Sequence, residues 1–165
     1  MGLTLLGVVH TILSLVAVVV AIVAVLREHG VSPASTIGRL YIWSLVATCL
    51  TGLPIFRHGT ISPPHILGVL TLAAFGVAAL AGKTRVFGRL SSYVETISYS
   101  LTLLFLGIST VTETLTRVPP GAPIVAGPDA PIFKPLYLIL VVLFLVGVTM
   151  QIRRLRSVAT AQRRP

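Results

Sequence analysis

Residues 8–26 read VVHTILSLVAVVVAIVAVL, and no Asp, Glu, Lys or Arg occurs between Met1 and Leu26. The hydrocarbon core of a bilayer is about 30 Å thick, and a helix of roughly 20 mostly apolar residues crosses it. This stretch therefore predicts a membrane-spanning helix over residues 3–26. We do not expect a cleaved signal peptide, because nothing basic precedes the apolar run, the run is too long and no small-residue cleavage site follows it.

The composition extends this prediction to the whole chain. Of its 165 residues, 55% are hydrophobic and only 10% are charged, whereas a soluble domain carries about 25% charged residues. The mean hydropathy is +0.97. These values exclude a disordered chain and a soluble enzyme, and the single cysteine, Cys49, excludes a disulfide-stabilised scaffold. A chain of this length is expected to form one domain.

Four further apolar stretches resemble the first, so the expected fold is an all-α, polytopic integral membrane helix bundle with about five transmembrane helices. The predicted spans cover residues 3–26, 34–56, 63–82, 94–116 and 134–152. Ser32 and Pro33 are typical of a helix start, and Pro54 predicts a kink in the second helix. A short turn is expected over residues 86–92, and the proline-rich stretch from Arg117 to Lys134 predicts an extended loop.

The basic residues predict the orientation of the bundle. With the N-terminus outside and the C-terminus in the cytoplasm, most Lys and Arg residues fall on the cytoplasmic side, as the positive-inside rule requires. The outer set is Arg57, Arg117 and Lys134, and the cytoplasmic set is Arg27, Arg39, Lys83, Arg85, Arg89, Arg153, Arg154, Arg156, Arg163 and Arg164. The expected location is therefore a bacterial plasma membrane.

The basic tail, residues 153–165, is predicted to contact anionic lipid headgroups through Arg153, Arg154 and Arg156. An acidic partner is the alternative for the same arginines. The formal net charge of +9 thus indicates the lipid bilayer as partner rather than nucleic acid, because no basic face interleaved with aromatic residues is present.

One face of the predicted fourth helix is polar. Such a face is costly to expose to lipid, so we expect it to point into the bundle, either as contacts between helices or as the lining of a polar path. Ionisable residues in membrane spans are rare and mark functional sites, which makes Glu95 and Glu113 candidates. For Glu113 the alternative is an ion pair with Arg117, one turn later on the same helix. At alternating steps of three and four, this polar stripe comprises Ser92, Glu95, Tyr99, Thr102, Leu106, Ser109, Glu113 and Thr116.

Two histidines are predicted to lie within the membrane. His10 falls about two turns into the first helix and His65 in the first turn of the third, both in the outer leaflet. Histidines on two helices at similar depth can ligate one haem iron, as in a haem b site, or a metal ion completed by Glu113. A lone histidine on an apolar helix is also typical of a hydrogen-bonded packing residue. We predict no catalytic residue and no dedicated metal site, because no corresponding sequence pattern occurs.

Residues 38–52, GRLYIWSLVATCLTG, carry a resemblance to a known family. They resemble part of a bacterial family of small predicted membrane proteins of the domain-of-unknown-function 2306 type. In that family a helix containing histidine precedes a motif of the form His-Arg-x-x-Gly-Arg-x-aromatic-x-Trp, and further apolar helices and a basic tail follow. Gly38, Arg39, Tyr41 and Trp43 match the second half of the motif, whereas Ala34 and Ser35 occupy its His-Arg positions. The resemblance implies the fold and leaves the function open.

These patterns leave three functions open. The first is a non-enzymatic accessory or interaction subunit, in a homo-oligomer or a larger membrane complex, since no catalytic motif is present. The second is a redox module that binds haem or quinone between His10 and His65. The third is a small oligomeric transporter or channel that uses the polar stripe of the fourth helix.

Overall fold

A computed structural model describes residues 4–55, 63–119 and 121–161, and within these ranges every regular element is a helix. Arg57 and the predicted tail beyond residue 161 lie outside the described residues. The elements are α1 (Leu5–Glu28), α2 (Thr36–Gly52), α3 (Pro63–Thr84), a 3₁₀ turn (Gly88–Leu90), α4 (Ser91–Arg117) and α5 (Phe133–Ala161). The 3₁₀ turn confirms the short turn expected before the fourth helix.

Four of these helices, α1, α3, α4 and α5, are long and apolar enough to cross a membrane. The remaining helix, α2, has 17 residues and a length of about 25 Å at 1.5 Å per residue. The observed helix is therefore shorter than the predicted second span, residues 34–56.

The two ends of α2 have identifiable causes. Ser35, and not Ser32, caps the N-terminus, because its Oγ accepts a hydrogen bond of 2.8 Å from the Gly38 amide. At the other end the helix stops at Gly52, so the predicted kink at Pro54 is wrong. Proline has no N–H to continue the helical hydrogen bonds, and it ends the helix here rather than bending it.

The first four helices form a closed ring. In it α1 packs on α2 and α4, α2 packs on α3, and α3 packs on α4, while α5 packs on α4 alone. Aromatic side chains fill the middle of the ring: the Phe75 ring centroid lies 6.2 Å from that of Tyr41 and 6.1 Å from that of Tyr99. Ala17 and Ala21 on α1 are buried against this cluster, and their small side chains let α1 approach closely.

The outer surface of the bundle is apolar. Large hydrophobic side chains on α1 and α5 are exposed, among them Ile22 and Leu143 at 54% and 61% of their surface. A soluble monomer rarely exposes an apolar surface of this extent. The surface therefore suits a lipid environment or a partner helix.

The helices run alternately up and down, which gives the bundle two distinct ends. The basic end is where α1, α3 and α5 finish; it carries Arg27, Arg39, Lys83, Arg89 and Arg153. The histidine end is where α2 and α4 finish; it carries His10, Gly52, His65 and Glu113.

At the basic end α5 extends beyond its neighbours. The Gln151 side chain lies against Gly30, just after α1 ends, and α5 continues for ten more residues to Ala161. The residues predicted as a tail from position 153 thus begin as helix. No proline or glycine interrupts residues 152–161, and Arg, Leu and Ala are good helix formers.

The proline-rich segment between α4 and α5 is not the extended loop that the sequence predicts. The Val125 amide donates a hydrogen bond of 2.9 Å to the Leu115 carbonyl near the end of α4. Turns close from the Ala122 amide to the Pro119 carbonyl and from the Ala130 amide to the Gly127 carbonyl. The Val125 side chain is buried, so the segment folds back onto the end of α4.

Candidate functional site

The middle of the polar stripe on α4 is buried inside the ring. Thr102 is fully buried, and its Oγ1 lies 2.9 Å from the Tyr41 hydroxyl on α2. Thr102 Oγ1 donates its own proton to the Tyr99 carbonyl at 2.7 Å, so the Tyr41 hydroxyl is the donor to Thr102. This pair links two helices whose backbones do not pack against each other.

Towards the histidine end, polar groups of α4 are also used within the bundle. Glu113 forms an ion pair with Arg117 one turn later. Thr112 Oγ1 donates to the Ile108 carbonyl and accepts a hydrogen bond of 2.6 Å from the Tyr137 hydroxyl on α5. The ion pair thus lies within α4, and the contact with α5 comes from Thr112, which is not part of the stripe.

The stripe is interrupted between its two polar parts. Leu106, a buried apolar residue, lies between Thr102 and the half-buried Ser109. The polar groups towards Glu95 and those towards Glu113 are thus separated by an apolar layer.

His10 has a defined hydrogen-bonding environment at the histidine end. Its Nδ1 lies 3.0 Å from the Thr48 carbonyl oxygen on α2 and 3.3 Å from Thr51 Oγ1. A carbonyl only accepts, so Nδ1–H is the donor, and the neutral imidazole then carries its free lone pair on Nε2. Metal-ligating histidines are commonly oriented by the same kind of N–H to carbonyl hydrogen bond.

Gly52 makes this position of His10 possible. A Cβ atom at residue 52 would lie 2.8 Å from His10 Cε1, closer than real contacts allow. The imidazole therefore sits between α1 and the end of α2.

The structure does not place His10 and His65 on packed helices. His65 is half-buried in the first turn of α3, and α1 and α3 do not pack directly on each other. A ligand shared by the two histidines would have to bridge that gap. Within the described residues, no three His, Cys, Asp or Glu side chains gather as a metal site.

Glu95 lies at the basic end, half-buried in the first turns of α4. Its carboxylate rests against the backbone of Gly82 on α3: a Cβ at that glycine would be 2.5 Å from Oε1. Tyr99, one turn later, is buried and interacts electrostatically with the carboxylate. Gly82 is the neighbour of Glu95 that sequence reasoning missed.

The arginines predicted to contact lipid headgroups are exposed on the projecting end of α5; they are Arg153, Arg154 and Arg156. The Ser100 hydroxyl on α4 donates a hydrogen bond of 3.2 Å to Oε1 of Gln151, which lies just before these arginines. This hydrogen bond fixes the point from which the basic helix end extends.

The residues that carry the family resemblance have structural roles. A Cβ at Gly38 would collide with the Ser32 carbonyl oxygen, so the turn before α2 requires glycine there. Tyr41 belongs to the aromatic core, whereas Trp43 is exposed in the middle of α2.

Comparisons with known proteins bring no relative: no protein-family model, no curated protein and no solved structure matches the chain.

Proposed function

We propose that the chain is a five-span integral membrane protein that serves as a non-enzymatic accessory subunit. It would lie in a bacterial plasma membrane, with the histidine end outside and the basic end in the cytoplasm. The resemblance to small bacterial membrane proteins of unknown function is part of this proposal. As the fifth span, α2 is short, but it packs between α1 and α3 and so shares their depth.

The observation that carries the accessory role is the contrast between the ring and α5. Inside the four-helix ring, aromatic side chains fill the centre, and Tyr41 and Thr102 hydrogen-bond to each other. By contrast, α5 packs on α4 alone and exposes residues such as Leu138 and Leu143. A helix held on one side only has a face available to another membrane helix, from a second copy or a larger complex.

Photo-crosslinking in native membranes tests this role. A photoreactive amino acid at Leu143 on α5 is compared with the same group at Ile22 on α1, which is similarly exposed. We expect a discrete protein adduct from position 143 and mainly lipid adducts from position 22. Lipid adducts alone at both positions would contradict the proposal.

Anionic lipid is the second partner that we propose. Arg153, Arg154 and Arg156 extend from the bundle at the level where α1 ends, which is the depth of headgroups if α1 crosses the bilayer. A basic residue near an anionic surface contributes about 1 kcal/mol. These three arginines would therefore favour the anionic cytoplasmic leaflet.

A redox module remains the second candidate function, and His10 is the observation that favours it. The Thr48 carbonyl orients the ring and leaves the Nε2 lone pair for a haem iron or for a quinol hydroxyl. A Soret band that shifts on dithionite reduction and is lost in His10→Ala would support haem; the role of His65 is tested by His65→Ala. A colourless protein from haem-replete cells would count against haem.

The third candidate, a transporter that uses the polar stripe, has less support because Leu106 interrupts the stripe. It predicts that Thr102→Leu or Ser109→Leu abolishes flux while the protein still folds. Unchanged flux in both variants would exclude a path along this face of α4.

A further inference from the structure

The connection between α3 and α4, residues 83–90, exposes every one of its side chains, and we refer to it as the α3–α4 turn. Three of these residues are basic, and none is acidic: Lys83, Arg85 and Arg89. Three others are large and apolar, with exposed fractions of 61%, 43% and 61%: Val86, Phe87 and Leu90. Cationic and apolar side chains thus alternate on one exposed segment.

Hydrogen bonds within the α3–α4 turn give it a defined shape. The Gly88 amide donates a hydrogen bond of 2.8 Å to the Arg85 carbonyl, and the Leu90 amide donates one of 3.0 Å to the Phe87 carbonyl. Gly88 has a φ of 55°, a left-handed conformation that glycine adopts without strain. Among the described helices, only α4 packs on residues 88–90. The apolar side chains of the turn are therefore held outward, where another phase or molecule can cover them.

The depth of the turn follows from the end of α3, a helix long and apolar enough to cross a membrane. Leu80 is 49% exposed and faces lipid if α3 spans the bilayer. The helix ends four residues later at Thr84, about 6 Å further along its axis. A headgroup layer is about 5–8 Å thick on each side of the hydrocarbon core. The α3–α4 turn therefore begins at headgroup depth, where apolar side chains reach acyl chains and long basic ones reach phosphates.

The arrangement of charges favours lipid over a protein partner. The core of a protein interface is depleted in charged residues, which lie at its rim. In the turn, Val86 and Leu90 each directly follow an arginine, so no apolar core is set apart from the charges. The acidic residue at this end, Glu95, is half-buried against Gly82 on α3. One carboxylate leaves an excess of positive charge beside the turn, which suits anionic phosphates.

We propose that the α3–α4 turn binds anionic phospholipid. Its three apolar side chains enter the boundary of the acyl chains, and its three basic side chains contact headgroup phosphates. The inference rests on the proposed membrane location, and it adds a lipid contact on a different element from the arginines of α5. A basic residue near an anionic surface strengthens the attraction about fivefold.

Tryptophan fluorescence in vesicles tests the turn. Phe87→Trp in a Trp43→Phe background leaves one tryptophan in the full-length chain. The vesicles contain equal amounts of phosphatidylglycerol and phosphatidylcholine, and the acyl chains of one or the other are brominated to quench a tryptophan in contact. We expect stronger quenching at position 87 when phosphatidylglycerol carries the bromine. No quenching by either lipid, as for a turn in water or under a protein, would overturn the proposal, and so would equal quenching by both.

A second single-tryptophan protein serves as the control. Ile124→Trp, in the same background, places the probe at a position that is 64% exposed in the proline-rich segment, where Asp129 offsets Lys134. We expect equal quenching by the two lipids at position 124. The same preference for phosphatidylglycerol at both positions would show that the turn has no special affinity, and would overturn the proposal.

Charge removal completes the test. Arg85→Gln with Arg89→Gln should lower the relative affinity of the turn for phosphatidylglycerol about fivefold for each charge. Arg85 has a φ of 51°, so a second pair, Lys83→Gln with Arg89→Gln, removes two charges without altering that position. An undiminished preference in both pairs would overturn the proposal. An alkaline wash of the vesicles reports separately on membrane location: a retained chain without quenching at position 87 contradicts the turn proposal alone, whereas a released chain contradicts the membrane location.

Discussion

The hydroxyl of Tyr41 on α2 donates a hydrogen bond to Thr102 Oγ1 on α4, and the two oxygen atoms are 2.9 Å apart. Both residues are fully buried. The backbones of α2 and α4 are too far apart to pack, so the long tyrosine side chain connects opposite sides of the four-helix ring. Its ring packs against Phe75 in the centre, while its hydroxyl donates to Thr102.

Tyr41→Phe tests this connection. The variant keeps the ring and removes the hydroxyl, so we expect the free energy of unfolding to fall by about 0.5–1.5 kcal/mol. Denaturation of the detergent-solubilised protein measures the change. Tyr93→Phe is the control, since Tyr93 is half-buried and makes no hydrogen bond within the described chain. An equal effect of the two substitutions would contradict the role of Tyr41.

Gly52→Ala tests the seating of His10. The new methyl group would lie 2.8 Å from His10 Cε1 and force the ring from its contact with Thr48. Overpacking of this kind typically costs about 1–3 kcal/mol. Gly76→Ala is the matched control: nothing lies within 4 Å of its added methyl group, and alanine is favoured over glycine inside a helix by about 1 kcal/mol. Destabilisation by Gly76→Ala equal to that by Gly52→Ala would contradict this account of His10.

The sequence predicts the helices well where an uncharged apolar run defines them. For α1, α3 and α4, the expected spans and the observed helices differ by only a few residues, because each helix coincides with a long apolar stretch. The beginning of α2 is different, since the Ser35 cap depends on a turn that brings Ser32 against Gly38. No periodicity encodes that turn.

The partners of the candidate residues could not be predicted in the same way. His10 contacts Thr48 and Thr51 because of the register between α1 and α2, which the pattern on one helix does not specify. The packed form of the proline-rich segment likewise depends on a contact between Val125 and the end of α4. Hydrophobic patterns identify the helices, whereas the side-chain contacts between helices can be identified only from the structure.

Val125→Asp tests the packing of that segment. A carboxylate at this buried position loses its solvation, so we expect the segment to detach and become sensitive to protease, while the helices stay folded. The neighbouring substitution Ile124→Asp is the control, because Ile124 is 64% exposed and Val125 only 8%. Limited proteolysis in detergent compares the two. Equal cleavage of both variants would show that Val125 does not anchor the segment.

Replacing Arg153, Arg154 and Arg156 together by glutamine tests the proposed contact with lipid headgroups. The wild type should be stabilised against heat more in phosphatidylglycerol vesicles than in phosphatidylcholine vesicles, because anionic headgroups attract exposed arginines. The triple variant should lose most of this difference and keep its stability in phosphatidylcholine. An undiminished difference would assign the lipid preference to other basic residues.

The most direct test of the five-span arrangement is cysteine labelling in intact cells, in a Cys49→Ser background. One cysteine replaces Ala126 in the proline-rich segment and another, in a separate variant, replaces Thr160 near the end of α5. The account predicts that a membrane-impermeant maleimide labels position 126 in intact cells and position 160 only after the membrane is permeabilised. Labelling of position 160 in intact cells, with position 126 protected, would contradict the proposed orientation, and equal access to both would contradict a membrane-crossing α5.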